Sequence, residues 1–544
     1  MASSASKPLP ASSDEQAGDS SGIAERPTRL LPLHRLLFLL SVFLLQFVFF
    51  SYVALHRFID GDEGFYLLAS RLVLEHKKPY IDFLFEQAPL FPYFYALWMK
   101  CFGVTWTSAR LFAALLTTLT GTLVCDEVWR QTRRWLLGVC ATIMFANSML
   151  IFGFFPVAKT FSLAGLLVFA AYVVVSRLSS KSASWVAAAG GLLLGLSMDV
   201  RSYLAVVVPF FVWWILRNID ADERLRILAW FMGGGVLGLI PVAYFFLSAP
   251  DLFLFNNLGY HELRSSGGLV GMWEEKLVTL FQLFLIGPES NGIQTAILIL
   301  VSVGFLSLMP KRRYAPRFAF QIAVAIGLVS LLPTPAWPQY FCLCIPFLLV
   351  STVCVTNDVV IGLESRRARI MSLFACALVA LIYVVAAVPD FHRYLVTGEG
   401  VPGVRAARQL EDLKLEQVRE VSRAIDEIAA PGEIIASVWS GYVFQTRANP
   451  LPGLEGDYAL SISEKLTSEQ RTKYHVVTPK EIEAGFASHR PRIVVLRDYA
   501  PRKGGADWQR LVEIEDSLNN SLRENGYGVA RSIGGVSIYV YNGG

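Results

Sequence analysis

Six carboxylates, Asp60, Asp62, Glu63, Glu75, Asp82 and Glu86, fall within one stretch, DGDEGFYLLASRLVLEHKKPYIDFLFEQAPLFPYFY, residues 60–95. Apolar runs flank it on both sides. Charged side chains beside membrane helices are costly unless they lie at an interface or in a watered cavity. A loop this long and this acidic therefore reads as a site, with a solvated connector as the alternative. Asp62 and Glu63 are its candidate catalytic pair. They open an amphipathic stretch with Phe65, Leu68 and Leu72 on one face. A carboxylate beside an apolar face is raised in pKa and can act as a base. The competing role is helix capping, since Asp is a favoured N-cap and Glu suits a first turn.

Three further groups carry chemistry. Glu86 and Gln87 stand in FEQAP, just before a proline-rich turn. His261, Glu262 and Arg264 stand in NLGYHELR, residues 257–264, read as a loop. The spacing is not HExxH, so a metalloprotease is not indicated. Lys159, Arg201 and Arg264 are each expected just outside the end of an apolar run. Such cations can snorkel. Three facing one cavity would suit an anion, and a lipid phosphate at the membrane boundary is the natural candidate for an Arg fork.

The elements that must position these residues are membrane helices. The chain has 544 residues, 54% of them hydrophobic, with a mean hydropathy of +0.47. Apolar runs of about 16–22 residues recur, the length of membrane spans. The formal charge of +4 is too small to indicate a partner, and no nucleic acid is expected. None of the seven cysteines falls after residue 376, so the C-terminal region is not disulfide-stapled. Basic clusters at alternate run ends predict about eleven spans with a cytoplasmic N-terminus. Residues 1–30 read as a disordered tail and 31–390 as the transmembrane domain. Residues 56–105 and 249–290 read as outer loops. Within the first, 89–103 is short and proline-flanked, and reads as a re-entrant or interfacial helix. From 391 to 544 the composition becomes that of a soluble α/β domain: a helix spaced by Val418, Val421, Ile425 and Ile428, then strands in EIIASVW, RIVVLRDY and VSIYVYN. The fold class is thus a polytopic α-helical membrane protein, multi-pass in the plasma (inner) membrane, with a C-terminal extracytoplasmic α/β domain.

Several segments, taken in order, resemble the GT-C superfamily of glycosyltransferases, in particular the protein O-mannosyltransferases and the bacterial aminoarabinose and related lipid-linked sugar transferases. Asp62-Glu63-Gly-Phe-Tyr66 is similar to their DE-x-x-Y opening. Glu86 and the segment from Pro89 to Tyr93 resemble E-x-PP-L-x-Y, with Ala88 at the first proline. Ser108-Ala-Arg110-Leu resembles the start of their next span, and Gly195 to Arg201 their G-L-A-x-x-x-K/R element. His261 to Arg264 resembles H-x-x-R, and Gln339-Tyr340-Phe with Pro346 resembles RY-x-x-P. Two departures bear on the donor head group: Lys159 stands where relatives often have an acid, and Gln87 where the aminoarabinose enzymes have Lys.

The resemblance implies transfer of a sugar from a polyprenyl-phosphate donor to a glycan, lipid or protein hydroxyl, with inversion. Asp62 takes the place of the base. Arg201, Arg264 and Lys159, the cations expected at the outer edge, are the candidates for the donor phosphate. Asp60, Tyr66, Glu86, Gln87 and Tyr340 are implied around the substrates. In some relatives a divalent cation is held at the positions of Glu86 and His261. The competing reading is a transporter or flippase for a lipid-linked or anionic substrate. Transporters place polar residues at mid-span, often where helices break. Here the ionisable residues gather at the outer edge.

Overall fold

The computed structural model describes residues 32–264, 268–284, 292–308, 315–333, 336–397, 413–456, 459–497 and 506–541. The tail 1–30 lies outside the described residues. Helices follow the apolar runs: α1 (Pro32–His56), α2 (Glu63–Leu74), α3 (Leu90–Phe102), α4 (Trp106–Thr132), α5 (Trp135–Ala146), α6 (Met149–Phe154), α7 (Thr160–Ser176), α8 (Ser184–Val200), α9 (Val208–Asn218), α10 (Ala221–Gly238) and α11 (Ile240–Ser248). Then come α12 (Pro250–Leu254), α13 (Tyr260–Arg264), α14 (Gly268–Phe284), α15 (Gly292–Leu308), α16 (Ala315–Val329), α17 (Ile345–Ile361), α18 (Arg366–Val385) and α19 (Val388–Thr397).

Among the described residues, four helical segments are long and apolar enough to cross a membrane, at Leu33–His56, Trp106–Thr132, Pro338–Ile361 and Arg366–Thr397. A fifth counts if α10 and α11, bent by 51°, form one broken span. The remaining apolar helices are shorter. On α1 and α18, Leu37, Leu45, Ile370 and Phe374 are exposed. An apolar belt of this kind suits lipid rather than water. Elsewhere the helices approach closely. A Cβ on Gly191 would stand 1.8 Å from the Phe231 carbonyl oxygen, and one on Gly234 1.9 Å from that of Ala188. Only glycine lets α8 and α10 meet backbone to backbone, the usual device of membrane helix pairs.

The region 391–544 carries α20 (Leu415–Ile428) and a five-stranded sheet. Its strands are β1 (Ile434–Ser437), β2 (Asn449–Pro450), β3 (Ile493–Arg497), β4 (Gly528–Ile533) and β5 (Val536–Val540), in the order β2-β1-β3-β5-β4. β1 runs parallel to β2 and β3, while β5 is antiparallel to β3 and β4. The two-residue side-chain period assigns the faces. Ile435, Ile493, Val495, Val536 and Ile538 join the core that continues into the helical body. Ala436, Val494, Leu496 and Tyr539 face a separate core on the far side. The sheet domain therefore rests directly on the helical body.

Two expectations are corrected. The stretch after Asp62 is not a half-exposed amphipathic helix, because every residue of α2 from Glu63 to Leu72 is buried. Its second face is covered by the C-terminal domain, to which Arg71 donates at the Val443 and Ala448 carbonyls, 3.0 and 2.8 Å away. The segment around His261 is not an open loop. It is α12, a π-helical turn at Phe255–Gly259, and α13. This segment is clamped from outside by Phe255 stacked on Tyr474 at 3.6 Å and by Lys473 paired with Asp251.

Candidate functional site

The site starts from the turn between α1 and α2. Glu63 is fully buried, and its carboxylate is held by the Arg110 guanidinium at 2.7 and 3.1 Å. It also accepts from the backbone N–H groups of Asp60 and Ala158. Arg110 completes its donors on the carbonyls of Ala54, Arg57 and Phe58. Burial raises the Glu63 carboxyl, but Arg110 and the hydrogen bonds more than offset this and hold it below the usual range. Glu63 is thus a buried tie between α2, α4 and the turn before α7. As a catalytic candidate it is misplaced, because it does not line the cavity.

Asp60 and Asp62 point the other way. Asp62 is the N-cap of α2 but makes no side-chain capping hydrogen bond. Its carboxylate instead meets the Lys159 ammonium at 2.6 Å, and Asp60 meets it at 3.1 Å. Lys159 sits in the turn between α6 and α7, only 2% exposed, and also donates to Gln339 at 2.8 Å. Burial opposes its charge, yet the two carboxylates raise its pKa above the usual ammonium value. The Lys159 charge is committed to this pair.

These groups line a cavity of about 640 Å³. Asp60, Asp62 and Tyr66 reach it from the first loop, and Glu86 and Gln87 from the segment before α3. Arg201 enters between α8 and the 3-10 helix Ser202–Val207. His261 and Arg264 enter from α13, and Gln339 and Tyr340 from the 3-10 helix Pro338–Cys344. Every candidate residue except Glu63 therefore comes to one place. Positioning is specific. Asn256, in the π-helical turn, accepts from the Phe85 N–H at 2.8 Å and fixes the backbone beside Glu86. Burial pushes the Tyr66 phenol up to about 12, which keeps it a neutral donor. Burial and the nearby Arg264 lower His261, whose ring is hydrogen-bonded to the Glu86 backbone.

Arg201 is a further cation on the cavity wall. Its guanidinium lies 4.3 Å from the Phe161 ring centre, with Tyr340 at 5.7 Å and Tyr203 at 5.9 Å. Its Nε donates to the Thr160 hydroxyl. Among the described residues it makes no ion pair. Stacking on aromatic faces orients the planar fork without neutralising it. For a metal the donor set is thin: no group of three His, Cys, Asp or Glu side chains is arranged to hold an ion among the described residues. Glu86 and His261 supply two donors, which do not define a metal site.

Sequence reasoning gave Arg110 no role and missed Trp439 altogether. The signal for Arg110 was present, since an ionisable residue inside an apolar run needs a buried partner. For Trp439 there was none. Its indole N–H donates to the Gly61 carbonyl, 2.8 Å away and 378 positions distant in sequence.

The helical body, the carboxylate turn at its end and the sheet domain resting on it together form a fold that recurs among solved structures. Among solved structures the chain is similar to ArnT from Cupriavidus metallidurans bound to undecaprenyl phosphate, with a TM-score of 0.58 and 13% identity over 94% of this chain and 99% of that one. The apo state of the same protein gives a TM-score of 0.60 and 12% identity over 94% and 98%. No protein-family profile and no curated protein matches the chain.

Proposed function

We propose that this chain is a multi-pass membrane glycosyltransferase that moves a sugar from a polyprenyl-phosphate donor to an acceptor hydroxyl. The observation that carries the reading is the cavity. It sets a paired carboxylate, Asp62, against an unneutralised, aromatic-stacked Arg201 at the ends of apolar helices. The ArnT likeness supports it, because that protein was solved with a polyprenyl phosphate bound.

The chemistry follows from the charges. The Asp62 carboxylate takes the acceptor O–H proton as the oxygen attacks the anomeric carbon. The new C–O bond forms opposite the breaking bond to the phosphate oxygen, so the centre inverts. The electron pair leaves with the lipid phosphate, already an anion, so no general acid is required. Arg201 and Arg264 face the charge that develops there, the kind of fixed donor that stabilises a transition state. Lys159 acts on the acid side instead: its ammonium is paired with Asp60 and Asp62 and holds the two carboxylates in place. Glu86, Gln87 and Tyr340 line the space left for the sugar. In this reading about eleven helical spans place the N-terminus in the cytoplasm and the cavity and C-terminal domain outside.

The test is direct. The purified chain is incubated with a panel of polyprenyl-phosphate sugars, and release of free polyprenyl phosphate is followed. Acceptor-dependent release is expected with at least one donor. Carriage of intact lipid-linked sugar across a vesicle membrane, without release, would replace transfer by transport.

A further inference from the structure

The turn that carries Asp60 and Asp62 has three side-chain supports, beside the Ile59 N–H on the Leu413 carbonyl at 2.8 Å. Glu63 with Arg110 holds it from the helical body, and Lys159 holds the carboxylates themselves. The third comes from the C-terminal domain, through the Trp439 indole N–H on the Gly61 carbonyl. Gly61 lies between the two cavity carboxylates, and a Cβ there would meet nothing within 4 Å. The residue makes no side-chain packing of its own, so that hydrogen bond is what fixes its peptide from the domain side.

The indole is itself held on every side. It stacks on Trp106 at the start of α4, with ring centres 6.0 Å apart, and meets Tyr442 edge-on at 4.6 Å. The Arg497 guanidinium, from the end of β3, lies 4.8 Å from its ring. Two glycines make room. A Cβ on Gly441 would stand 2.3 Å from the ring, and one on Gly64 would stand 2.7 Å from the Gly441 nitrogen. A large aromatic buried this tightly, with its one donor aimed at a loop peptide, acts as a rigid strut.

We propose that Trp439 is a positioning residue: its indole N–H fixes the Gly61 peptide so that the Asp62 carboxylate stays on Lys159 and faces the cavity. The C-terminal domain is thereby a working part of the site rather than an appendage. The inference rests on the transferase reading given above. A small misplacement of a reacting group is costly because the near-attack geometry is lost, even when binding is intact.

The variant is Trp439→Phe in the full chain, which keeps a ring for stacking and removes the donor. Two readouts are taken: hydrogen–deuterium exchange over residues 58–66, and kcat and KM for a polyprenyl-phosphate sugar. Faster exchange in that segment is expected, with kcat falling ~3–10-fold and donor KM little changed, the size of one lost buried hydrogen bond. Gly441→Ala, which pushes the ring aside, should reproduce both effects. Unchanged exchange would overturn the proposal, as would faster exchange at native kcat. A parallel loss in kcat and Tm with normal exchange would mark Trp439 as structural only and overturn it too. If the wild-type chain releases lipid phosphate from no donor, the transferase reading fails, and the exchange arm still decides whether Trp439 orders the turn.

Discussion

Asp62→Asn separates a catalytic carboxylate from a structural one. Lys159 is almost fully buried and meets Asp62 at 2.6 Å and Asp60 at 3.1 Å. The asparagine keeps an acceptor oxygen for the ammonium but not the charge, and Asp60 still neutralises Lys159. The stability loss should therefore stay near that of one charge-assisted hydrogen bond, about 1–3 kcal/mol. Capping contributes nothing to the ledger, because Asp62 makes no side-chain cap. Asp60→Asn should cost about the same in stability. Removing both carboxylates leaves a buried ammonium without a counter-charge, a loss of about 3–5 kcal/mol. Activity should split differently. Asp62→Asn removes the proton acceptor and should lower kcat by about 10²–10⁴, or about 3–5 kcal/mol of barrier. Asp60→Asn should lower it far less. The assay is release of polyprenyl phosphate by purified variants, normalised to folded protein and set beside thermal unfolding. If the two single variants lose equal activity, or if Asp62→Asn retains near-native kcat, Asp62 is only a partner for Lys159.

Arg201→Ala should weaken polyprenyl-phosphate binding by tenfold or more, on the order of 1.5 kcal/mol for a charged hydrogen bond, while Arg201→Lys should recover only part because it lacks the fork and the stacking. Equilibrium binding of the free lipid phosphate measures both. Glu63→Gln strands Arg110, which is wholly buried, and should lower unfolding stability by about 3–5 kcal/mol; an unchanged Tm would remove its role as a tie. In the sheet domain, burial raises the Glu455 carboxyl from 4.5 to about 7. Between those values the folded state holds a proton that the unfolded chain has released. Stability should fall as pH rises through that window, by on the order of 3 kcal/mol, and level off above it; Glu455→Gln should abolish the slope in pH-dependent unfolding. In a cysteine-free background, a membrane-impermeant thiol reagent should label Ser468→Cys in intact cells and spare Ser365→Cys, both exposed positions. The reverse pattern would invert the orientation.

The sequence by itself determined where helices form. Apolar runs cannot satisfy their backbone in lipid any other way, and α1, α4, α7 and α17 lie where the runs lie. It also marked the site residues one by one, because an ionisable group in an apolar chain needs a reason to be there. Asp62, Lys159, Arg201 and His261 stood out on that ground, and one cavity gathers them. What the residue types could not reveal is pairing. Asp62 and Glu63 are neighbours of like chemistry. Only the tertiary structure gives Glu63 to Arg110 and Asp62 to Lys159, because α4 passes behind the turn and the α6–α7 turn passes before it. The same holds for α2. Its pattern is that of a surface helix, and it is buried because a domain encoded hundreds of residues later folds back over it. The contact between Trp439 and Gly61 has no trace in local sequence, since a backbone carbonyl carries no residue identity and the approach depends on two glycines in different domains.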